Sequence, residues 1–234
     1  MSNKRALAWL VHLYTALGGV IGMYALILVA DGETRGAFVL LIAATWIDAT
    51  DGLIARRIRI WEVLPEFSGS SMDNVIDTLT YVWVPVFIIS REGLLPSPIW
   101  IIPPVIAALY AYGQVNMKTP EGFFLGFPSY WNVIALYMFW LQPVPVIAVL
   151  LVVIPAILTF IPTHYLYPSR NQWMWPVSWG LALIWTPLVL YLLGQETPDD
   201  ALVWVSLFYP IYYLAASFYV DWRIRQGRPV AEDG

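Results

Sequence analysis

Stretches of nearly unbroken apolar sequence fill this chain, at residues 8–30, 37–57, 72–90, 97–115, 129–142, 144–163, 173–193 and 201–221. A helix needs roughly 20 mostly apolar residues to cross a bilayer, and backbone inside lipid must satisfy its own hydrogen bonds. Together these demands predict an all-α fold, a polytopic membrane helix bundle of about eight transmembrane helices. The fifth stretch is short and interrupted, which leaves seven spans as the alternative count. Turns are expected at Asp31-Gly32-Glu33, Arg91-Glu92-Gly93, Gln142-Pro143-Val144-Pro145 and from Gly194 to Asp200. No polar run is long enough for a soluble domain, so residues 1–234 are expected to form one membrane domain. Lys4 and Arg5 before the first apolar run resemble the start of a signal peptide. The run continues without a small-residue cleavage pattern and reads as a retained helix.

Composition agrees. Hydrophobic residues make up 59% of the 234, charged residues only 12%, and mean hydropathy is +0.66. A soluble domain carries about 25% charged residues. The net charge of −4 offers no basic surface for a nucleic acid. With no Cys, disulfides, thiolate catalysis and Cys-based zinc sites are excluded. His12 and His164 are the only histidines, too few for a His-rich metal centre.

Eight spans put both termini on one side of the membrane. Lys4, Arg5, Arg56, Arg57, Arg59, Lys118, Arg170, Arg223, Arg225 and Arg228 then share that side, and only Arg35 and Arg91 lie opposite. The positive-inside rule makes the basic side, with both termini, cytoplasmic. Dropping one span would reverse the sides downstream and spoil the asymmetry.

The chemistry is concentrated between residues 48 and 77. Asp48 and Asp51 are three apart at the end of the second span; Asp73 and Asp77 are four apart at the start of the third. Each pair shares a helix face. The basic linker between the spans is short, so the four carboxylates can converge from two helices at the cytoplasmic boundary. A carboxylate at that depth is costly unless paired or functional. Solvated boundary residues, or partners for the neighbouring arginines, are the plain alternative reading. Carboxylates alone form a hard oxygen site, suited to Mg²⁺ or Mn²⁺ rather than zinc. Two such ions can hold a pyrophosphate and neutralise its attacking and leaving oxygens. Gly52 and Ala55 leave room for a bulky group to approach, and Arg56 supplies a planar fork suited to phosphate. Lys118 and Arg170 lie in loops on the same side and are further candidates for holding phosphate.

The pattern Asp-x2-Asp-Gly-x2-Ala-Arg, a spacer, then Gly-x3-Asp-x3-Asp resembles the signature of the CDP-alcohol phosphatidyltransferases. It is matched at Asp48, Asp51, Gly52, Ala55, Arg56, Gly69, Asp73 and Asp77. The spacer departs from most of the family in being longer, running from 57 to 68. That spacer, the chain length, and the segments Val11-His12-Leu13-Tyr14-Thr15 and Phe124-Leu125-Gly126-Phe127-Pro128-Ser129-Tyr130-Trp131-Asn132 resemble the bacterial branch that joins CDP-diacylglycerol to choline and releases CMP.

The resemblance implies roles. Asp48, Asp51, Asp73 and Asp77 hold two Mn²⁺ or Mg²⁺ ions, and Asp77 is also the catalytic base for the acceptor hydroxyl. Gly52, Ala55 and Arg56 contact the CDP moiety, and Gly69 keeps the turn into the third helix open. Expected partners are CDP-diacylglycerol, choline, the product CMP and membrane lipids, with a second copy of the chain as a further one. The expected location is the bacterial inner membrane, with the active site at the cytoplasmic face. Choline is recognised by aromatic faces and acidic groups; Tyr130, Trp131 and Glu121 are the expected contacts. Serine or inositol remains the alternative acceptor. A cation transporter is the alternative class, but it would place such carboxylates near mid-membrane between broken helices.

Overall fold

The computed structural model describes residues 3–170 and 174–228. Helices occupy every apolar stretch: α1 (Asn3–Ala30), α2 (Thr34–Ile58), α3 (Gly69–Arg91), α4 (Pro98–Gly113), α5 (Trp131–Leu141), α6 (Pro145–Thr159), α7 (Trp175–Leu193) and α8 (Asp200–Arg225). Among them α1, α2, α3, α7 and α8 are long and apolar enough to cross a membrane, whereas α4, α5 and α6 are shorter apolar helices. The chain is an all-α polytopic membrane protein. The expected seventh stretch began at 173, which lies outside the described residues.

Local chemistry sets the helix ends. Gly32 follows α1 at φ 88°, and the amides of Gly32 and Glu33 bond back to the carbonyls of Val29 and Leu28 at 3.1 and 2.8 Å. That left-handed closure favours glycine and sends α2 back along α1. Ser68 caps α3 by accepting a hydrogen bond from the Ser71 amide at 3.2 Å, and Asp199 caps α8 by accepting from the Leu202 amide at 3.1 Å. Two prolines interrupt long helices. Pro85 has no amide for the Tyr81 carbonyl and its ring crowds that carbonyl; α3 widens to a π-helical turn over Thr78–Trp83 just before it. Leu207 breaks α8 three residues before Pro210 for the same reason.

α1 packs on α2 and α3, α3 on α5, α4 on α6, and α7 on α2 and α8. Phe38, Leu41, Val82, Ile88, Trp131, Met138 and Leu192 form part of the buried core. Leu10, Leu13, Val20 and Tyr24 on α1, and Val146, Leu150 and Ile157 on α6, remain exposed, as lipid-facing side chains do.

The connections carry a small element that helical periodicity does not announce. β1 (Phe123–Leu125) pairs antiparallel with β2 (His164–Leu166), in the register Phe123–Leu166, Phe124–Tyr165 and Leu125–His164. Gly126, at φ 80°, follows β1 so closely to the end of α6 that a Cβ there would lie 2.2 Å from the Thr159 carbonyl oxygen. The ribbon ties the loop after α4 to the loop after α6. Asp221 of α8 holds β2 in turn, accepting hydrogen bonds at 2.9 Å from the His164 backbone amide and pairing with the ring at the same distance.

Candidate active site

The last turns of α2 and the first turns of α3 meet at the end of the bundle that carries the β-ribbon. Asp48, Asp73 and Asp77 each offer a carboxylate oxygen within 4.8 Å of the others. Two neighbouring helices therefore present three hard ligands to one point, which is what a divalent cation with oxygen preference requires. The Asp77 side chain is buried and its Oδ1 has no hydrogen-bond partner. An orphaned buried carboxylate oxygen is costly unless something binds it, so the donor set and its vacant lone pairs both fit a metal ion. Asp51, also buried, is not part of that group and lies beside Thr15 of α1.

Two side chains outside the motif fix these carboxylates. The Tyr81 hydroxyl, on the π-helical turn, donates to Asp48 Oδ2 at 2.8 Å. Lys118, in the loop between α4 and β1, donates to Asp73 Oδ2 at 3.2 Å and lies 3.9 Å from Asp77 Oδ2. Burial alone would lower the proton affinity of Lys118. The Tyr167 hydroxyl and the Asp77, Asp73 and Asp48 carboxylates outweigh it and raise it above the usual lysine range. Burial also raises the Tyr167 hydroxyl; its ring lies 5.7 Å below the Lys118 ammonium.

The small residues of the motif are explained by what they touch. The Arg56 guanidinium lies over Gly52, where a Cβ would sit 3.1 Å from Nη1. Arg56 Nη2 donates to the Ser169 carbonyl at 2.9 Å, joining α2 to the loop after β2. Ala55 packs against Ala8, Val11, Ile60 and Leu64. Gly69 leaves room for the His12 ring of α1, whose Cε1 would be 2.8 Å from a Cβ, so close packing rather than an open turn is what its size permits.

Asp48 and Asp77 form part of the wall of a cavity of about 260 Å³. Its other charged lining residue is Lys118, and aromatic faces supply much of the rest, among them Tyr81, Tyr112, Tyr130, Tyr167, Trp179 and Tyr213. Tyr130 stands between Tyr81 and Tyr213, with ring centroids 5.8 and 5.2 Å away. The other two expected choline contacts lie elsewhere. Trp131 is fully buried against Phe127, because the first turn of α5 points it into the core. Glu121 lines a separate surface pocket with Arg56, Trp61, Arg170 and Trp175.

Of the four carboxylates expected to converge, Asp48, Asp73 and Asp77 come together and Asp51 does not; Tyr81, in a chain with 14 tyrosines, carries no sequence mark of its contact with Asp48. The glycines of α1 were also passed over. Gly18 and Gly22 form a G-x3-G step against Ile76 and Thr80, and a Cβ on Gly22 would lie 2.8 Å from the Thr80 methyl. This close approach backs the carboxylate-bearing turns of α3 with α1, and the small-residue spacing was visible.

No family model matches the chain. Individual proteins do. A phosphatidylcholine synthase of Rhizobium meliloti is 36% identical over 203 residues, covering 85% of this chain and 84% of its own length. Phosphatidylcholine synthases of Legionella pneumophila and Pseudomonas aeruginosa are 33% and 31% identical, covering 93% and 94% of this chain and 89% and 93% of their own lengths. With relatives of one kind aligned along nearly its whole length, this membrane-embedded chain belongs to the phosphatidylcholine synthase family of enzymes.

Proposed function

We propose that the protein transfers the phosphatidyl group of CDP-diacylglycerol to choline and releases CMP. The observation that carries the acceptor is the cavity, which is lined by two carboxylates, Lys118 and many aromatic rings. A trimethylammonium group has no hydrogen to donate and is bound through aromatic faces and nearby negative charge. The family name of the relatives agrees with that chemistry.

In this reading Asp77 accepts the proton of the choline hydroxyl. The hydroxyl oxygen forms a bond to the phosphorus that carries diacylglycerol, the bond from that phosphorus to the CMP oxygen breaks, and CMP departs. Asp48, Asp73 and Asp77, with Asp51 from outside their group, would hold Mn²⁺ or Mg²⁺, which when bound would neutralise the pyrophosphate and the leaving charge. Gly52 and Arg56 meet the CDP moiety, Arg56 through its phosphates, while Ala55 and Gly69 serve its site through the packing of α2 and α3 on α1. Tyr130 belongs to the choline wall. The distribution of basic residues supports a cytoplasmic face for this end of the bundle in the bacterial inner membrane, with residues 1–234 acting as one domain.

The test is purified protein with CDP-diacylglycerol, Mn²⁺ and equal concentrations of choline, serine and inositol, read by lipid chromatography. Phosphatidylcholine and an equal amount of CMP are expected. Phosphatidylserine or phosphatidylinositol without a choline product would overturn the acceptor and leave the donor chemistry intact.

A further inference from the structure

Lys118 sits where a cation is wanted. Its ammonium bridges Asp73 and Asp77, which belong to the carboxylate group that fits a metal ion, and its side chain is largely covered. Its backbone is held from both sides: the Leu125 amide bonds to the Met117 carbonyl at 2.9 Å, and the Thr119 amide to the Phe123 carbonyl at 2.8 Å. The β-ribbon thus fixes the root of the side chain. The lysine stem has four rotatable carbons and three donors on a compact charge. Lys118 also lines the cavity that Asp48 and Asp77 share, so the ammonium can leave the carboxylates without leaving the site.

The charges decide where it goes. Carboxylates within 4.8 Å of one another repel strongly, and an ammonium relieves that repulsion. A divalent ion on the same oxygens relieves it more fully and repels the ammonium. The strongest negative charge then within reach is the pyrophosphate of the donor.

We propose that Lys118 is a further substrate-binding residue, an ammonium that occupies the metal-free carboxylates and moves onto the donor phosphate when ions take its place. This rests on the proposed metal-dependent use of a CDP-linked donor. It assigns Lys118 two consequences of opposite sign: it competes with the metal in the donor-free protein, and it holds the nucleotide once metal is bound.

The experiment compares wild type, Lys118→Met and Lys118→Arg in lipid nanodiscs. Mn²⁺ binding without nucleotide is followed by electron paramagnetic resonance of the free ion, and CMP binding to the Mn²⁺-loaded protein by calorimetry. Lys118→Met is expected to bind Mn²⁺ at least threefold more tightly, and CMP about tenfold more weakly, the size of one charge-assisted hydrogen bond. Lys118→Arg is expected to keep both affinities near wild type. A purely structural lysine would leave Mn²⁺ binding unchanged or weaker in Lys118→Met, and either result overturns the exchange. Unchanged CMP binding overturns it also. Wild-type protein that binds neither Mn²⁺ nor CMP would remove the proposed function, and this inference with it.

Discussion

The hydroxyl of Tyr81 donates to Oδ2 of Asp48 at 2.8 Å, from a π-helical turn that begins one residue after Asp77. One widened turn thus carries the donor that holds Asp48 and directly follows Asp77. Partners of ligating groups orient them and tune their basicity, and removing one typically costs 10–100-fold in metal affinity or activity. Tyr81→Phe keeps the ring and loses only the donor. Its Mn²⁺ requirement for half-maximal turnover is expected to rise within that range, measured by metal titration. An unchanged requirement would show that Asp48 does not need this bond.

Among the glycines of α1 that meet α3, Gly22 leaves the least room for a side chain. Gly22→Leu forces a side chain into the Thr80 methyl and the Leu79 side chain, at 2.8 and 3.0 Å from the nearest position its Cβ can take. Overpacking of this kind costs about 1–3 kcal/mol. The midpoint of thermal unfolding in detergent should fall measurably. Gly180→Leu, at a helical glycine with open space around it, should leave the midpoint at or above the wild-type value. Equal effects would detach the loss from α1–α3 packing.

How much of this was legible in the sequence follows from the range of each interaction. Asp48, Asp73 and Asp77 were legible because three- and four-residue spacing fixes a helix face, and a short linker brings two faces together. The apolar stretches gave the helices for a similar reason. The shortness of α5 was legible too, whereas the end of α6 was not, since apolar residues run on past Thr159 through Phe160 and Ile161. Lys118 carried no local mark of its pairing with Asp73, 45 residues away, and depends on a β-ribbon too short for alternation to reveal. Tyr130 reached the cavity and its neighbour Trp131 the core because Tyr130 precedes α5 with a non-helical backbone whereas Trp131 is its first helical residue, a boundary that apolar composition does not mark.

Removal of metal gives the third expectation. The carboxylate set offers only oxygen ligands, and among the described residues it contains no His. Turnover should vanish in EDTA and return with Mn²⁺ or Mg²⁺, whereas Zn²⁺, which favours nitrogen and sulfur ligands, should restore little. Full activity in chelator, with no residual metal by elemental analysis, would remove the ions from the mechanism.

Asp77 as the base is tested by Asp77→Asn, with two readings on one protein. Asparagine keeps the size and one oxygen of the side chain but cannot take the choline proton. CDP-diacylglycerol binding should survive substantially while turnover falls by at least the 10²–10⁴-fold that general-base catalysis supplies. Asp51→Asn, made alongside, should lose metal and donor binding together. Collapsed turnover with retained donor binding in Asp77→Asn is the predicted result. Near-normal turnover in Asp77→Asn, or equal loss of donor binding in both variants, would contradict the assignment.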